Sequence, residues 1–84
     1  MEIDPDSDVP RYQQLASLLR RQIEDGTIAE RRPLPSKRTM RQQYGVSAGT
    51  IDKAMNLLRA EGLIKTVLGL GLYVVARGDR PVND

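Results

Sequence analysis

The sequence predicts a mainly α-helical winged helix-turn-helix, three helices closed by a small β-hairpin. Three observations predict it. Two helical segments, each opened by a serine able to cap it, flank Gly45-Val46-Ser47, which has the length and chemistry of a helix-turn-helix turn. A longer amphipathic helix precedes them. After Gly62 the helical period gives way to β-forming runs around two glycines.

Each element follows from local chemistry. Residues 1–9 carry Glu2, Asp4, Asp6 and Asp8 without periodicity and are expected to be a disordered acidic leader. Pro10 suits the first position of a helix over about 10–25. Tyr12, Leu15, Ala16, Leu19 and Ile23 supply its apolar stripe, Leu18 widens it, and Gly26 stops it. Pro33-Leu34-Pro35 cannot continue a helix, so Leu34 is expected to plug the core from an extended piece. Ser36 opens a short helix over 36–43, with Met40 and Tyr44 inward and Gly45 as a left-handed stop. Ser47 opens the next helix, whose core face is Ile51, Ala54, Met55 and Leu58. The runs 63–67 and 72–76 then form the hairpin, with Leu68-Gly69-Leu70-Gly71 at its tip. Residues 10–77 are thus one domain, and 78–84 read as a frayed tail.

Composition removes whole classes of function. The 84 residues contain no cysteine and no histidine. Thiol catalysis, disulfide scaffolds, imidazole metal sites and Ser-His-Asp chemistry are therefore not expected, and the chain does not read as an enzyme. No metal or other cofactor is implied. Tyr12, Tyr44 and Tyr73 are the only aromatics, too few for a single-strand stacking platform. No apolar run is long enough to cross a membrane, and the acidic opening does not read as a secretory signal, so a cytoplasmic protein is expected. The net charge of +2 is unevenly spread. From Val9 to Arg77, twelve Lys/Arg face five Asp/Glu, a surplus of seven that suits a polyanionic partner. A solvated, charge-mixed surface would give the same count, so charge alone does not decide.

The motifs narrow the reading. Pro33-Leu34-Pro35-Ser36-Lys37-Arg38, Tyr44-Gly45-Val46-Ser47, Thr50-Ile51, Leu57-Leu58-Arg59-Ala60-Glu61-Gly62-Leu63-Ile64 and Gly69-Leu70-Gly71-Leu72-Tyr73-Val74 together resemble the GntR-type bacterial transcription regulators. Val9-Pro10-Arg11-Tyr12-Gln13-Gln14-Leu15 looks like the start of that family's DNA-binding domain. The resemblance covers about residues 9–76. It implies a winged helix that binds an operator in double-stranded DNA as a dimer, with repression as the expected outcome. Two routes to such a dimer are open, pairing in solution and pairing only on DNA. Members normally carry a C-terminal effector-binding and dimerisation domain, for which these 84 residues have no room.

The candidate DNA-binding residues are Ser36, Lys37, Arg38, Arg41, Ser47, Ala48, Gly49, Thr50, Lys53, Lys65 and Gly69. Arg38 can reach a guanine edge or a phosphate, and Lys37 and Arg41 suit phosphates. Ser47, Ala48, Gly49 and Thr50 form the first turn of the recognition helix, where free N–H groups favour an anion. Lys53 and Lys65 are further phosphate candidates, and Gly69 marks the wing tip, which the resemblance directs to the minor groove. The sequence departs from the family at three places. Ala48 stands where arginine is common, Asp52 where a basic residue is frequent, and leucines occupy a tip that is usually polar. Asp52 would repel phosphate unless it accepts from a cytosine amino group. Either the wing touches DNA through backbone N–H groups and Gly69, or its leucines offer a surface to a protein partner, unless one leucine simply folds back onto the core. A protein-interaction module, or an architectural DNA binder without sequence preference, is therefore the alternative reading.

Overall fold

A computed structural model describes residues 3, 4 and 6–80. Its elements in chain order are α1 (Arg11–Glu24), α2 (Lys37–Tyr44), α3 (Ala48–Ala60), β1 (Ile64–Val67) and β2 (Gly71–Val74). A single 3-10 turn, Arg77–Asp79, follows. This is the expected winged helix-turn-helix.

Helix α1 buries Leu15, Ala16, Leu18, Leu19 and Ile23 against the inner face of α3, made by Ile51, Ala54, Met55 and Leu58. Pro10 stands just outside α1 as its N-cap. Its ψ of 145° is extended, and its carbonyl accepts from the N–H groups of Gln13 and Gln14. Helices α2 and α3 begin alike. Ser36 Oγ accepts from the Thr39 N–H and Ser47 Oγ from the Thr50 N–H, both at 3.1 Å. Gly45 ends α2 at φ 65°, a left-handed conformation that glycine adopts without a steric penalty. Buried Val46 then pins the turn to the core.

The hairpin pairs Ile64 with Val74 and Val67 with Gly71. Its strands are shorter than the expected 63–67 and 72–76. Val75 and Ala76 are buried beyond the ladder instead, and Val75 N–H donates to the Leu63 carbonyl. The Pro33 segment borders the other side of β2. Leu34 N–H donates to the Leu72 carbonyl, Arg31 N–H to the Val74 carbonyl, and Val74 N–H to the Arg32 carbonyl, at 2.9–3.0 Å. Leu34 fills the core as its flanking prolines predict. Across the domain, Arg20 forms a two-pronged bond to Glu61, Nε to Oε1 at 2.8 Å and Nη2 to Oε2 at 2.7 Å. It ties α1 to the end of α3. The Glu61 hydrogen bond holds the arginine above its ordinary pKa, opposed by partial burial.

Both ends carry contacts that periodicity does not signal. The leader is anchored where it is described: Gln14 Oε1 accepts from the Asp4 N–H, and Gln14 Nε2 donates to the Asp4 and Val9 carbonyls. One amide side chain supplies these bonds, a signal that periodicity does not carry. Met1, Glu2 and Pro5 lie outside the described residues. At the other end, Arg77 and Arg80 both bond the Glu24 carboxylate, at 3.1 and 2.9 Å, so residues 78–80 are held against α1. Residues 81–84 of the expected frayed tail lie outside the described residues.

Candidate nucleic-acid interface

Helix α3 presents a short first turn to solvent. Ser47 satisfies the Thr50 N–H, and its carbonyl takes the Ile51 N–H. The Ala48 and Gly49 N–H groups have no intrahelical acceptor, as in any first turn, and point toward the helix start. Small side chains leave them approachable. A Cβ added at Gly49 would meet only Ser47 Oγ, at 3.9 Å. The N-terminal end of the helix dipole adds positive potential there.

Arg38 and Arg41 stand exposed on α2 and, with Gln42 and Val46, line a shallow depression of about 360 Å³ beside the turn. Two guanidiniums thus flank the entry to α3, which suits a phosphate or a guanine edge. Ser36 caps the helix that carries them. Lys37 is differently engaged: its Nζ lies 2.7 Å from Asp52 Oδ1, joining the start of α2 to α3. Neither residue is buried, at 53% and 55% side-chain exposure. The expected repulsion between Asp52 and phosphate is thereby balanced by a cation within the protein. No helical spacing could signal this pair, because its members sit on different helices.

Lys53 turns toward α1, with its Nζ 5.8 Å from the centre of the Tyr12 ring. Lys65 is exposed on β1 opposite Tyr73, and Gly69 sits at the wing tip with φ 81°. These three lie apart from the Arg38–Arg41 depression. Asn56 Oδ1 accepts from Arg59 Nη1 at 2.9 Å. The tip leucines do not fold back onto the core, since Leu68 is 97% and Leu70 70% exposed. Between the wing and helices α2 and α3 runs an open groove of about 700 Å³, whose apolar walls include Pro33, Met40, Met55, Leu70 and Leu72. No motif or spacing signals it, because its walls come from separate segments.

Among the described residues, no three Asp or Glu come together as a metal site would need, and no helix is long and apolar enough to cross a membrane.

The model of "Bacterial regulatory proteins, gntR family" matches residues 11–74. The chain belongs to the gntR family. Among curated gntR-like relatives, the HTH-type transcriptional repressor NagR of Bacillus subtilis is 36% identical over 74 residues, which span 88% of this chain and 30% of NagR. The chain therefore corresponds to under a third of that relative's length. Among solved structures, YtrA from Sulfolobus acidocaldarius, a GntR-family transcription factor, superposes with a TM-score of 0.82 at 33% identity, over 90% of this chain and 80% of that one. AraR(DBD) in complex with operator ORX1 superposes with a TM-score of 0.78 at 32% identity, over 89% and 93%. The fold is that of gntR-family DNA-binding domains.

Proposed function

We propose that this gntR-family chain binds an operator in double-stranded DNA sequence-specifically and represses transcription. The observation that carries the reading is the joint surface of Arg38, Arg41 and the open first turn of α3, held by two serine caps and Gly45. Charged forks and free N–H groups fix the phosphates, and the exposed side of α3 lies along base edges. Ser36, Lys37, Ser47, Ala48, Gly49, Thr50, Lys53, Lys65 and Gly69 complete the proposed contact surface. The superposable AraR domain, solved with its operator, supports this reading. Two copies on one operator would each read a half-site, with pairing on the DNA itself. Such a regulator works in the cytoplasm, where bacterial DNA lies.

Gel-shift and footprinting against genomic fragments test the reading. A protected site that survives excess random DNA is expected. Binding that random DNA removes completely would reject it. Sedimentation with and without the protected fragment tests pairing on DNA. The exposed leucines of the wing favour a second reading, a module that docks another protein through its wing. Loss of a co-purifying partner on Leu68→Ser, with DNA binding intact, would favour it.

A further inference from the structure

We infer that Asp52, held by Lys37, selects a cytosine in the operator. The inference rests on the DNA-binding reading above. Ala48 and Gly49 bring no side-chain donor or acceptor to the start of α3, and Thr50 is partly covered. Asp52 is the first exposed ionisable group along the helix, and it lies one turn beyond Ala48 on the same side. Its Oδ1 is 2.7 Å from Lys37 Nζ. That leaves Oδ2 with no partner among the described residues.

An unpaired carboxylate on a DNA-facing helix would be repelled by the phosphates. Lys37 cancels that charge locally and fixes which oxygen faces outward. An acceptor-only group has one complementary base edge in the major groove. Cytosine offers its N4 amino group as donor, with no acceptor on its own edge. Guanine presents two acceptors, thymine one, and adenine places N7 beside its donor. The same carboxylate is therefore repelled by guanine and thymine, meets an acceptor beside the donor on adenine, and finds a donor alone only on cytosine. Lys37 acts here as a positioning residue and makes no base contact.

Selection of bound sequences from a randomised DNA pool tests this with the full chain and its variants. The wild type should return a motif in which one position is cytosine, preferred by roughly tenfold to a hundredfold. Asp52→Asn turns an acceptor into a donor–acceptor pair that matches adenine, so the same position should move from cytosine to adenine while the others stay. Asp52→Ala should lose preference at that position alone. Lys37→Met should weaken binding to every sequence and also reduce the cytosine preference at that one position, because the carboxylate is then neither compensated nor held. Loss of a phosphate contact alone would leave the preference unchanged. A wild-type motif that Asp52→Asn and Asp52→Ala leave unchanged at every position would overturn the inference and leave the DNA-binding reading intact. A wild type that selects no motif would instead reject sequence-specific binding itself. Far-ultraviolet circular dichroism of each variant separates these outcomes from misfolding.

Discussion

Arg38 and Gly49 show how single residues divide between fold and reading. The Arg38 side chain is exposed and makes no hydrogen bond to the described residues, so Arg38→Ala should leave the melting temperature unchanged. It should weaken binding to the protected site by about 1–3 kcal/mol, measured by titrated gel shift. Gly49→Ala should do the opposite to the fold. The space around Gly49 is open, and alanine is the better helix former, so stability should rise by up to about 0.5–1 kcal/mol in urea unfolding. If the helix start approaches DNA closely, the same methyl should weaken binding. Gly45 is fixed by its backbone, and Gly45→Ala should cost about 1–2 kcal/mol at φ 65°. Asp25 supplies a pH-dependent contribution. Hydrogen bonds from the Thr27 hydroxyl and N–H hold its carboxyl below the usual value. A lowered folded pKa gives stability that is present above the unfolded value and lost as the pH falls through the folded one. The stability gap between the wild type and Asp25→Ala should therefore close as the pH drops below the ordinary carboxylate range.

Elements were legible in the sequence to the degree that their causes are local. Ser36 and Ser47 sit three residues before the threonines whose N–H groups they accept, and both helices begin there. The stripe of Leu15, Leu19 and Ile23 marks the buried side of α1 because helical spacing alone puts them together. Leu19→Ala should cost about 2–5 kcal/mol, a large part of the stability of so small a domain, and appear as a lowered urea midpoint. What stayed hidden depends on distant partners. Lys37 and Asp52 meet across two helices, Arg20 and Glu61 across the whole domain, and Gln14 reaches back to the leader. Charge pairing of this kind has no period. Lys53 was equally opaque: its place on the solvent side of α3 suggested phosphate, but the aromatic ring of α1 lies within its reach. The candidate site was thus readable as a set of residues, while the engagements among them were not.

At the scale of the molecule, the electrostatic balance is the measurable quantity. The acidic leader opposes the basic body, and Gln14 keeps part of it beside α1. Replacing Asp4, Asp6 and Asp8 by asparagine should tighten DNA binding at low salt, and the gain should fade as salt rises. The pairing of β2 with the Pro33 segment acts on the same scale. Leu34 bonds to the wing, and Ser36, two residues later, starts the helix that carries Arg38. The parts proposed to enter neighbouring grooves therefore share one stretch of backbone and behave as the jaws of a fixed caliper. A caliper measures distance whatever the letters between its jaws. One base pair inserted between the two touched stretches of an operator adds about 3.4 Å of rise and about a tenth of a turn. The jaws cannot follow, so such an operator should bind as though one of its two stretches were missing.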